Sequence, residues 1–83
     1  MAKWDKFRRK LMSGQSDSSL DFSDLCRFVE QELGFTPHPQ NSGSHRVYAK
    51  AGIPEIIDLQ PNGHEAKAYQ VRQVRLIIVT HGL

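Results

Sequence analysis

A single imidazole at the start of a strand is the residue in this chain best suited to chemistry. It sits in the run Gly43-Ser44-His45-Arg46-Val47-Tyr48. Pro37, Pro39, Asn41, Ser42 and Gly43 punctuate the approach, and Val47 and Tyr48 carry the strand onward. A side chain there is held by a sheet yet stays within reach of water and a ligand. Histidine as a residue type titrates near pH ~6.5, so such a group can give or take a proton near neutrality. The same position also fits an imidazole satisfied by a backbone carbonyl at a strand start.

The other candidates carry less. His38, His64 and His81 have no metal-ligand spacing and read as turn or terminus residues. His64, in the turn before Lys67, is the one placed to be a second proton-transfer group. Cys26 lies in a helical stretch with no histidine beside it in sequence, so it reads as a small core hydrophobe. No Cys-His cluster, His-Glu-x-x-His helix, calcium loop, glycine-rich nucleotide loop or kinase or hydrolase signature occurs. The expectation is no metal and no cofactor.

Eighty-three residues make one domain. A chain of this length buries only roughly 60–65% of the surface its unfolded form exposes, so the core is small. No apolar run approaches the ~20 residues that cross a bilayer, and the basic N-terminal stretch lacks the apolar core of a secretory signal. One cysteine cannot form an internal disulfide. Together these point to the reducing cytoplasm and to no membrane partner. The net charge of +2 is unevenly spread. Lys3, Lys6, Arg8, Arg9 and Lys10 make the first twelve residues basic, and Asp17, Asp21, Asp24, Glu30 and Glu32 make the next stretch acidic. The remainder is mildly basic, a weak pointer to nucleic acid.

The elements that would position His45 follow from hydrophobic spacing. Trp4, Phe7 and Leu11 share one face of a short helix over residues 2–12. It reads as an N-terminal helical arm (1–14) that docks its aromatic stripe on the domain, or as a detachable arm binding phosphate or protein. Small polar residues make 15–20 a linker. A second helix begins at a cap supplied by Asp21 or Ser23, buries Leu25, Phe28, Val29 and Leu33, and stops at Gly34. Strands are expected over 35–38, 44–50 and 55–60, with a turn at 51–54. A last helix runs over 68–80, with Val71, Val74, Ile78 and Leu76 or Ile77 inward, Arg72, Gln73 and Arg75 outward, and Gly82 as its stop. Residues 21–83 thus form a small α+β domain: a three-stranded antiparallel sheet with two helices on one face, in the order α-β-β-β-α. Period-two alternation pairs His45 with Val47 on one strand face and Arg46 with Tyr48 on the other. With Val47 and Ile57 packed under the helices, His45 falls at the helix-side rim.

The Gly43-Ser44-His45 run precedes a strand carrying an aromatic, an extended segment, a basic residue opening a final helix, and a terminal glycine. With Leu33-Gly34-Phe35 upstream, this resembles the HicA-type toxins of bacterial toxin–antitoxin pairs over residues 22–83. The resemblance implies a fold like the double-stranded RNA-binding domain, an mRNA-cleaving ribonuclease that halts translation, His45 as its essential residue, and a HicB-type antitoxin that covers it. The chain departs from the pattern in its extension ahead of Phe22. It departs again in the strand Ile56-Ile57-Asp58-Leu59-Gln60, where many members have a valine-rich strand followed by proline and histidine, and in residues 61–69.

RNA carries its own nucleophile, the 2′-hydroxyl. Cleavage needs that proton removed, the phosphorane charge stabilised and the 5′-oxygen protonated. His45 can serve as general base or general acid, a role worth ~100- to 10,000-fold. Lys67, preceding a helix N-terminus, is the best candidate to stabilise charge. Arg46 and Arg72 are further candidates for phosphate, and Ser44 for orienting the histidine or donating to phosphate. Tyr48 and Tyr69 fit either stacking on unpaired bases or packing. The competing readings are a non-catalytic RNA-binding module of the same fold and a protein-interaction unit using the Trp4-Phe7-Leu11 stripe.

Overall fold

The computed structural model describes residues 3–39 and 45–83. Its elements run α1 (Asp5–Ser13), α2 (Phe22–Gln31), β1 (Thr36–Pro37), β2 (Arg46–Lys50), β3 (Ile53–Leu59), β4 (Pro61–Asn62), β5 (Glu65–Ala66) and α3 (Ala68–His81). The first three strands form one antiparallel sheet in the order β1-β2-β3, and β4 and β5 pair as a separate short hairpin. This is an α+β architecture with three helices among the described residues. The β4–β5 hairpin is additional to the three strands expected from sequence.

Local chemistry accounts for the boundaries. The Asp21 carboxylate accepts from the Asp24 amide at 3.0 Å and caps α2. After α2 the chain turns through Gly34 at φ 77°, and a Cβ there would meet the Lys50 ammonium at 2.7 Å. The left-handed backbone is what favours glycine here, since the Lys50 side chain can swing aside. Lys67 is the N-cap residue of α3, and Gly82, in the left-handed conformation, is its C-cap.

One core joins all the layers. Leu25, Phe28 and Val29 of α2, Tyr48 of β2, Ile57 and Leu59 of β3, and Val71, Val74 and Ile77 of α3 are buried together. Leu11 of α1 and Leu20 of the following loop are fully enclosed in the same cluster. Arg75 fixes that junction. Its guanidinium donates to the Leu11 carbonyl and makes a two-pronged pair with Asp17, each bond 2.8 Å. Arg75 was expected to face outward. It turns inward because α1 and its loop supply a carbonyl and a carboxylate, neither deducible from helix periodicity. On α3 the inward residue of the Leu76/Ile77 pair is Ile77, while Leu76 is exposed.

The face of β2 is the main correction. Tyr48 pairs with Ile57 and Arg46 with Leu59, whereas Val47 pairs with Asp58. Tyr48, Ile57 and Leu59 are all buried, so the Arg46/Tyr48 face is the one under the helices. Val47 and His45 lie on the opposite, open face, and His45 is not at the helix-side rim. The deciding groups come from elsewhere in the chain. The buried Tyr48 hydroxyl donates to Glu30 of α2 at 3.1 Å, so its burial leaves no polar atom unsatisfied.

Candidate active site

His45 immediately precedes β2, on the open face of the sheet, with its side chain 55% exposed. Its backbone partners are set by the antiparallel register that places Arg46 opposite Leu59. That register brings the end of β3 alongside the imidazole. Asp58 Oδ1 lies 3.2 Å from His45 Nδ1, and Gln60 Nε2 lies 3.3 Å from the same nitrogen. Gln60 Oε1 accepts from the Lys67 ammonium at 2.9 Å. An unbroken polar line therefore runs Asp58–His45–Gln60–Lys67 across the strand ends to the start of α3.

The Lys67 contact fixes which way the Gln60 amide points. An ammonium has only donors, so the amide oxygen faces Lys67 and the NH2 faces His45. His45 Nδ1 thus sees an acceptor on one side and a donor on the other. When protonated, Nδ1 donates to Asp58; when bare, it accepts from Gln60. The ring has a partner in each protonation state, and both partners act on Nδ1. The other ring nitrogen, Nε2, is the one that can exchange a proton with a ligand.

Gln70 supports this line from below. It is a buried polar residue, 2% exposed, in the first turn of α3. Its Oε1 accepts from the Gln60 backbone amide at 2.7 Å, just beyond the last residue of β3. Its Nε2 donates to the Tyr69 hydroxyl at 3.4 Å. The β3 exit, and with it the Gln60 side chain, is tied to the start of α3.

The residues singled out from sequence separate into groups. Lys67 joins His45 through Gln60. Arg46 lies on the helix-side face, donates to the His45 carbonyl at 3.1 Å, and places its charge near Cys26. Arg72 is exposed on α3, and its charge acts on Asp17. Ser44, with Gly43, lies outside the described residues. His64 is exposed at the β4–β5 turn, where its carbonyl accepts from the Phe22 amide at 2.9 Å. His81 pairs with Glu55 at 2.8 Å at the far end of α3 and holds that carboxyl below its ordinary range. Cys26 is buried, and burial pushes its thiol up, which keeps it an unreactive core residue. Among the described residues, no three His, Cys, Asp or Glu side chains gather as metal ligands.

Sequence reasoning missed Asp58, Gln60 and Gln70. Asp58 carried a usable signal: a carboxylate in an otherwise apolar run, Ile56-Ile57-Asp58-Leu59, must face away from the core. Gln60 and Gln70 carried none, since an isolated glutamine is ordinary surface chemistry.

Comparison of the chain with protein-family models, with curated proteins and with solved structures finds no match. The site therefore rests on its own geometry: an exposed imidazole, oriented through Nδ1, with an ammonium one side chain away. The open face continues past it through the half-buried Val47 to Ile56, which is 56% exposed. No helix among the described residues is long and apolar enough to cross a membrane.

Proposed function

We propose that the protein is a metal-independent endoribonuclease that cleaves messenger RNA, the toxin of a bacterial toxin–antitoxin pair of the HicA type. The observation that carries this reading is the Asp58–His45–Gln60–Lys67 line. It supplies two of the three things that RNA cleavage by transesterification requires, one proton-transfer residue and a cation, and water at the open, exposed face carries the other proton.

In the reaction, the ribose 2′-oxygen attacks the adjacent phosphorus and the bond from phosphorus to the 5′-oxygen breaks. The products are a 2′,3′-cyclic phosphate and a 5′-hydroxyl. The 2′-hydroxyl loses a proton and the leaving 5′-oxygen gains one. His45 Nε2 performs one of these two transfers while Nδ1 keeps a partner on either side of the step. Lys67 spends one N–H on Gln60 and has others to direct at a phosphate oxygen, where excess negative charge develops. The N-terminus of the fourteen-residue α3 adds its partial positive charge in the same place. Recognition on this reading is mostly of backbone and shape, as for double-stranded RNA, which is read through 2′-hydroxyl and phosphate contacts. A protein antitoxin of the HicB type would cover the open face, where Val47 and Ile56 flank the histidine with apolar surface.

The test is incubation of the purified protein with end-labelled RNA in excess chelator. The expected result is fragments ending in cyclic phosphate, with His45→Ala folded and slower by roughly 100-fold or more. RNA retention without fragments would instead make the domain a non-catalytic RNA-binding module. Cleavage undiminished in folded His45→Ala would remove the histidine from the mechanism.

A further inference from the structure

The helical side of the molecule carries a second feature that the His45 line does not use. A groove of about 380 Å³ runs between α1 and α2, floored by Trp4 and Phe7. Lys3, Lys6 and Lys10 form one wall, and Arg27 stands on the other beside Asp24. The floor is apolar because Trp4 and Phe7 bury only part of their surface. Both pack against Phe28, with ring centroids 5.9 and 5.1 Å away, and both remain half-buried. Lys6 and Lys10, four residues apart on α1, share one helix face, and Lys3 in the turn before the helix adds a third charge to the same edge of the groove. Asp24, the single acid in the lining, is 3.7 Å from Arg27. The groove thus wants an occupant that is apolar at its centre and anionic along its edges.

Two classes of macromolecule have that character, and the ring geometry separates them. A nucleic-acid base stacks flat on an open aromatic face. The Trp4 ring meets Phe7 and Phe28 at 80° and 74°, and the Lys3 ammonium lies over it, 5.4 Å from its centroid. Its indole N–H is turned to Gln31. The ring offers edge packing under a cation, not a flat platform. A helix with a stripe of branched apolar side chains and carboxylates at three-and-four spacing matches both the floor and the lysine edge.

We propose that the α1–α2 groove is a docking site for an acidic amphipathic helix of a second protein. This stands apart from the ribonuclease reading, since its residues lie on the helices and His45 lies on the open face of the sheet.

Trp4 is the only tryptophan, so its fluorescence reports the groove directly. The probe is a synthetic helical peptide with leucines on one face and glutamates flanking them, titrated into the full chain. The expected result is a blue shift of Trp4 emission that saturates, unchanged in His45→Ala. The double variant Lys3→Glu/Lys6→Glu should weaken binding by about tenfold or more. Acids near a helix N-terminus are favourable, so this variant retains α1, and circular dichroism verifies it. Equal binding by a polyglutamate without leucines would overturn the apolar half of the proposal. A shift produced by a single-stranded RNA oligomer and not by the peptide would make the groove a nucleic-acid surface. No shift with either would overturn it altogether.

Discussion

His45 Nδ1 stands 3.2 Å from Asp58 Oδ1, although thirteen residues separate them in the chain. The β2–β3 register makes the approach: Val47 is directly opposite Asp58, so His45 reaches it on the diagonal, on the same open face. The carboxylate orients the ring and favours the proton on Nδ1. Both side chains are about half exposed, which limits what the pair is worth.

Asp58→Asn keeps shape and removes the charge. Exposed pairs are worth roughly 0.2–1 kcal/mol, so RNA cleavage should fall only about two- to fivefold, with no measurable change in melting temperature. A pH series of cleavage rates on both proteins checks this. A loss of several hundredfold would mean that Asp58 touches substrate.

Gln60→Ala cuts the line between His45 and Lys67. The expected outcome is a lower cleavage rate at every pH with little change in stability, because both of its side-chain partners reach water. Gln60→Glu restores an acceptor for Lys67 but offers no donor to bare Nδ1. It should therefore move the pH profile and not merely scale it. An identical profile for the two variants would show that Gln60 only holds Lys67.

Gln70→Leu tests the support beneath the site. It fills the same space but leaves the Gln60 amide without an acceptor. An unsatisfied buried donor costs about 1–3 kcal/mol, readable in a denaturant melt. Gln70→Glu keeps the acceptor and should retain more cleavage activity than Gln70→Leu at temperatures where both are folded.

The Asp17–Arg75 pair sets an acid limit on stability. The Arg75 guanidinium hydrogen-bonded to Asp17 holds that carboxyl below its ordinary value of 3.8. A carboxyl lowered on folding stabilises the native state above its unfolded pKa, and that contribution is lost as pH falls through the folded value. Asp17→Asn should therefore cost roughly 1–2 kcal/mol near neutrality. The gap between the two proteins should narrow below pH ~4. Urea melts at three pH values measure it.

Tyr48 sets the alkaline limit. Burial, reinforced by Cys26 and Glu30, raises its hydroxyl well above the ordinary tyrosine range. In the unfolded chain the phenol ionises near pH ~10, so stability should fall as pH rises through that value. Tyrosinate absorbance followed through an alkaline titration should show a late phase that coincides with unfolding and is missing in Tyr48→Phe.

Much of the framework was legible in the residues themselves. An α2 cap at Asp21 or Ser23, a left-handed glycine at position 34 after that helix, the final helix beginning at Ala68 and a hairpin turn after Lys50, shorter in the structure because β3 starts at Ile53, follow from short-range sterics and hydrogen bonding. These forces act over a few residues, so a few residues suffice to read them. The placement of His45 at the mouth of a strand followed in the same way.

The face of β2 was not legible, because Val47 and Tyr48 are adjacent and either could be core. The choice rests on Ile57 and Leu59 lying beside Tyr48 and on Glu30 receiving its hydroxyl, all supplied from outside the strand. The partners of His45 were likewise fixed by register and by the seat of Gln70 beneath Gln60. Sequence determined which residues form each element and put an imidazole at a strand entrance. Only the tertiary structure decided which way that strand faces and which side chains meet the imidazole, because both depend on contacts between segments distant along the chain.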